Sequence, residues 1–141
     1  MIFMEESNLL KKNDVKYIII HCSDTSNHDT AIDIHKLHIS FGWDGIGYHK
    51  IILRNGIIEN GRPEFWKGAH AYQYNDKSIG VCLIGKNNFT LSQLKSLKKI
   101  LSSWKKKYPL SKIIGHRDLP NTNKTCPNFD VKSWCEKEEI F

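Results

Sequence analysis

Tyr17-Ile18-Ile19-Ile20-His21 sets three β-branched residues in a row and ends on a histidine. A run of that kind reads as a strand buried on both faces, and such strands belong to sheets covered by helices. Ile113-Ile114-Gly115-His116 repeats the pattern late in the chain, inside a short strand over Lys112 to Gly115. Ser78 to Ile84 reads as another buried strand. One hairpin is expected, because Tyr48 to Leu53 and Ile57 to Asn60 flank Asn55-Gly56, two residues that tolerate positive φ. Helical patterns fill the intervals. Thr30 and Asp33 have capping-box spacing, and Ile34, Leu37 and Phe41 recur on one face until Gly42. Thr90 with Gln93 opens the strongest helix: Leu91, Leu94, Leu97, Ile100, Leu101 and Trp104 form its apolar stripe, and Pro109 stops it. A last helix starts near Asp130, with Val131, Trp134 and Cys135 turned inward. Strands that alternate with helices, apart from one hairpin, predict an α/β fold: a mixed central β-sheet flanked by about three helices, in a single domain. Gly61 to Lys77 reads as a long loop, of the sort more often functional than idle.

The composition narrows the function classes. The chain has 141 residues, 40% hydrophobic and 26% charged, which suits one globular domain and argues against disorder. Its apolar runs are far too short to cross a bilayer, so no membrane partner is expected. Twenty-one basic residues against fifteen acidic ones give +6. Only Arg54, Arg62 and Arg117 are arginines, however, and base reading and bidentate phosphate clamping favour Arg. The charge therefore reads as a solvated lysine coat with general attraction to polyanions, and no specific nucleic-acid partner is expected. Met1 to Lys12 carries its acids early and its lysines late, the reverse of a secretory signal. A cytoplasmic site of synthesis is expected, and the four cysteines suit it as free thiols or metal ligands.

The two strand-end histidines carry the chemistry. In α/β sheets, sites are built at the carboxyl ends of strands, where His21 and His116 both fall. Ten residues after His116 comes Cys126, in Lys124-Thr125-Cys126-Pro127. Two imidazoles and a thiolate are a suitable three-ligand set for Zn²⁺ with a fourth position open. A competing reading makes Cys126 a nucleophile, but Pro127 removes a backbone N–H donor directly after the sulfur. A bland reading makes all three simple packing or strand-end residues. His35 and His38 read as surface or half-buried helix residues, His49 as core if Tyr48 faces a cleft, and Cys22, Cys82 and Cys135 as packing residues.

Five segments in one order carry a resemblance: His21-Cys22-Ser23-Asp24-Thr25, Gly47-Tyr48-His49, Ser78-Ile79-Gly80-Val81-Cys82-Leu83-Ile84-Gly85, Gly115-His116-Arg117-Asp118 and Lys124-Thr125-Cys126-Pro127. Together they resemble the zinc-dependent N-acetylmuramoyl-L-alanine amidases of the phage-lysozyme type, within the wider amidase and peptidoglycan-recognition-protein family. The resemblance implies Zn²⁺ held by His21, His116 and Cys126, and Tyr48 and Lys124 as catalytic auxiliaries. It also implies that His70 and Asn75 contact substrate in a cleft that binds bacterial peptidoglycan. An amidase domain over 17–141, preceded by an extension over 1–16, follows, as does a monomeric phage or prophage endolysin with no separate wall-binding module. A non-catalytic recognition module and a wall-recycling or effector amidase are the alternatives. Asn128 departs from the Gly that many relatives carry after Cys-Pro; a small loop change is expected there.

Overall fold

The computed structural model describes residues 6–140. The first five residues of the leader reading, and the outer ends of the two segments 1–16 and 17–141, lie outside that range. The elements run β1 (Tyr17–Cys22), α1 (Ala31–Ser40), β2 (Lys50–Ile52), β3 (Ile58–Asn60), β4 (Ser78–Leu83), α2 (Leu91–Lys107), β5 (Lys112–Gly115) and α3 (Val131–Lys137). The sheet has the strand order β3-β2-β4-β1-β5. β2, β4, β1 and β5 are parallel, and only the hairpin strand β3 runs against its neighbour. The mixed sheet and three helices are those expected.

Alternation along the strands sorts the core into two sides. Ile18 and Ile20 of β1, with Ile79, Val81 and Leu83 of β4, pack under α2 and α3. Leu10 and Val15 join the same cluster. On the other side Ile34 of α1 packs with Ile51 and Ile84, while Ile19 packs with Ala71 and Leu119. Each such fully buried aliphatic contributes about 1.5–3 kcal/mol.

The capping signals act as read. Thr90 Oγ1 accepts from Gln93 N–H at 3.0 Å, and Gln93 Oε1 accepts from Thr90 N–H at 3.1 Å. The stripe of α2 begins later than expected, because Leu91 is 79% exposed. Gln93 takes the inward place instead. Its Nε2 donates to Ile52 O at 3.2 Å and Ile84 O at 2.9 Å, carbonyls just where the β2–β4 ladder runs out. In the hairpin only Gly56 has positive φ, +89°. Asn55 contributes through its side chain, whose Oδ1 accepts from Ile57 N–H at 3.0 Å.

In α1 only Ile34 and His38 are buried. Leu37 and Phe41, expected on its inner face, are 36% and 56% exposed. The start of the helix lies on the sheet, whereas its end overhangs a cleft.

Candidate metal centre and cleft

Strand register brings the two histidines together. β1 and β5 pair with Ile20 opposite Gly115, so the next residue of each chain segment, His21 and His116, stands at the same carboxyl edge. Their ring centroids are 4.7 Å apart. Cys126 arrives on the loop before α3, which is tied back by Arg117 N–H donating to Cys126 O at 2.7 Å. Ligand atoms of His21, His116 and Cys126 all lie within 4.8 Å of one another, the one such group among the described residues. His21 is buried, and the other two are half-buried on the side that opens to the cleft. Two imidazoles and a thiol with one open side fit a metal ion of zinc's preferences.

Cys22 is buried, as expected of a packing residue, but its backbone also meets the candidate metal centre. β1 ends on it, and the chain then turns through Asp24, whose φ is +55°. Cys22 N–H donates to Cys126 Sγ at 2.9 Å, and Asn128 Nδ2 lies 3.7 Å from the Cys22 sulfur. The neighbouring Cys22 thiol first, and then burial, push the Cys126 thiol above its ordinary value, while the Cys22 N–H pulls the other way. Binding of a metal to this sulfur would release its proton. Asn128 itself has φ +67°, a conformation asparagine tolerates better than most side chains. This accounts for a glycine or asparagine at that place.

Tyr48 stands beside the centre, its ring centroid 5.1 Å from that of His21. Burial first, then the Cys82 and Cys126 thiols, hold its phenol well above the ordinary value, so in the metal-free chain it is a hydrogen-bond donor. Lys124 is exposed in the lining of the same cleft, with its backbone N–H on Thr122 Oγ1 at 3.1 Å. Burial lowers the pKa of both His21 and His116, and the Lys124 charge adds to it in each. The ammonium is thus felt at the floor of the cleft.

The cleft encloses about 820 Å³. Leu37, Phe41 and Trp43 line it together with Asn121 to Thr125 and with His21, His116 and Cys126. Trp66 lines a different cavity. His70 and Asn75 both border the cleft. His70 is nevertheless buried, and its Nδ1 lies 2.8 Å from His21 Nε2. Asn75 Oδ1 accepts from the N–H groups of His70 and Ala71, each at 2.9 Å. His38, expected at the surface or half-buried, is buried and accepts Gly47 N–H on Nδ1 at 2.9 Å.

His49 is core, as its alternation with Tyr48 implies. Its Nδ1 accepts from Gly80 N–H at 3.0 Å and its Nε2 lies 2.7 Å from Trp66 O, so both nitrogens are occupied in the neutral ring. Burial lowers its pKa to about 4. The unfolded chain, with His near ~6.5, binds more protons between those values. Stability is therefore complete above pH ~6.5 and falls as pH drops toward 4, by about 3 kcal/mol from this residue. Urea midpoints of the metal-free protein are expected to drop between pH 6.5 and 5, with a shallower slope in His49→Gln. A flat midpoint across that window contradicts the burial of a neutral His49.

The profile of the family described as N-acetylmuramoyl-L-alanine amidase matches residues 11–129. The chain is 41% identical to the endolysin of Enterobacteria phage T3, over 87% of each protein. It is 35% identical to the endolysin of Klebsiella phage KP32, over 97% of this chain and 96% of that one. Among solved structures, the N-acetylmuramoyl-L-alanine amidase LysC from Clostridium intestinale superposes with a TM-score of 0.82 at 29% identity, covering 99% of this chain and 96% of that one.

Proposed function

The chain belongs to the N-acetylmuramoyl-L-alanine amidase family, and from that premise we propose that it cuts bacterial peptidoglycan as a phage endolysin. The bond is the amide between the lactyl group of N-acetylmuramic acid and the L-alanine of the stem peptide. The observation that carries this reading is the convergence of His21, His116 and Cys126 on the floor of an open cleft. These three residues would hold Zn²⁺. Bound there, zinc supplies Lewis acidity toward the amide carbonyl and toward water.

The remaining work falls to the chain's own side chains. Lys124 reaches into the cleft from its rim and stabilises the negative oxygen that develops as the carbonyl is attacked. Tyr48, held as a phenol, donates a hydrogen bond to the reacting groups; its surroundings in the metal-free chain disfavour the part of general base. The apolar wall of Leu37, Phe41 and Trp43 offers a surface for the less polar side of the substrate. The enzyme works on the wall as a monomer. Among the described residues no helix is long and apolar enough to cross a membrane.

Mass spectrometry of digested peptidoglycan tests this reading. Stem peptides with a free L-alanine amino group are expected, without new reducing sugar ends. Reducing ends would mean that a glycosidic bond is cut and the proposal is wrong.

A further inference from the structure

His21 can offer a metal either ring nitrogen, and the choice is decided behind it. His21 Nε2 lies 2.8 Å from His70 Nδ1. On its far side, His70 Nε2 lies 3.4 Å from Ser78 Oγ, and Ser78 Oγ–H donates to Tyr74 O at 2.7 Å. The direction of this chain follows from its last member. A backbone carbonyl can only accept, so the single hydroxyl proton of Ser78 is spent on Tyr74 O. Ser78 Oγ then accepts, and the neutral His70 ring carries its proton on Nε2. His70 Nδ1 is left as an acceptor, so the proton between the two rings belongs to His21 Nε2. The free lone pair of His21 is on Nδ1.

The slot that holds His70 is built for a flat ring. A Cβ on Gly80 of β4 would lie 2.7–2.8 Å from three atoms of that ring, so only glycine leaves room for it. Asn75 Oδ1 fixes the backbone of the loop at His70 and Ala71. Both rings are buried, which keeps each neutral.

We propose that His70 is a positioning residue that holds His21 as its Nε2–H tautomer, so that Nδ1 is the atom presented to the metal. Ser78, Asn75 and Gly80 hold His70 for that purpose. The inference rests on the zinc reading of the site and gives His70 and Asn75 a part other than substrate contact. Outer partners of ligating histidines are worth about 10–100-fold in metal affinity.

Three measurements on the full chain test it. In the metal-free wild type, long-range ¹⁵N–¹H NMR is expected to show His21 protonated on Nε2. His70→Leu is expected to mix the two His21 tautomers and to weaken zinc about 10–100-fold in competition with a chelator of known affinity. His70→Asn, whose side-chain oxygen can accept near the place of Nδ1, is expected to recover most of that loss. A metal-free wild type protonated on His21 Nδ1 overturns the proposal. So does a His70→Leu variant that keeps its zinc affinity while only KM rises, the outcome for a substrate contact. The NMR result needs neither metal nor substrate. A wild type that shows the Nε2–H tautomer but takes up no zinc therefore refutes the function proposed above and leaves the tautomer assignment supported.

Discussion

Cys126→Ala is expected to lower amidase activity by about a thousandfold or more, because it would remove one of the three proposed zinc ligands and with it the proposed Lewis acid. Zinc affinity should fall by roughly a hundredfold or more, since ligand bonds account for most of such a site's binding free energy. The fold should persist. Cys126 is half-buried, its loop is held by the backbone bond from Arg117 N–H, and the sulfur belongs to none of the hydrophobic clusters. Metal-free wild type and variant should therefore melt together, and the loss of activity should track the loss of zinc. Cys126→Asp returns a charged oxygen donor and should recover part of both. If Cys126 were instead a nucleophile, the aspartate variant would be dead while zinc binding stayed intact. Pro127 already weakens that reading, and the neighbouring Cys22 thiol and burial, which hold the Cys126 thiol up, weaken it further.

Lys124→Ala is expected to lower kcat by about 10²–10³, the usual cost of removing one oxyanion donor. It should do so without loss of metal. The sign follows from the histidines: the Lys124 charge disfavours added positive charge at His21 and His116, so its removal leaves zinc affinity equal or tighter. Single-turnover rates on a soluble muropeptide, with zinc content measured on the same sample, separate the two effects. A variant that has lost its zinc contradicts the role given to Lys124, and a variant with unchanged kcat does too.

Much of this site is legible in the sequence because strand register is set by burial. Once the Ile18–Ile20 and Ile113–Ile114 runs are read as neighbouring parallel strands, the residue after each run falls at the carboxyl edge, and the histidines meet. Parts that depend on where an element ends are less legible. Strand alternation points the Cys22 side chain away from His21 and into the interior, where it is buried, but no local pattern announces that the Cys126 sulfur meets its backbone N–H. Gln93 reads as a capping residue and is one, but its burial comes from two sheet carbonyls that no local pattern announces. Leu37 and Phe41 have helical spacing with Ile34, and only the overhang of α1 leaves them on the cleft wall. His70 sits in a loop without periodicity. The glycine at position 80 of a buried strand was the available hint that something flat lies against the sheet there.

The most direct test is a zinc analysis of purified protein paired with its activity before and after stripping. One zinc per chain is expected, with cleavage of the muramyl–alanine amide lost on chelation and regained on adding zinc alone. Full cleavage by protein shown to contain no metal would contradict the account at its root.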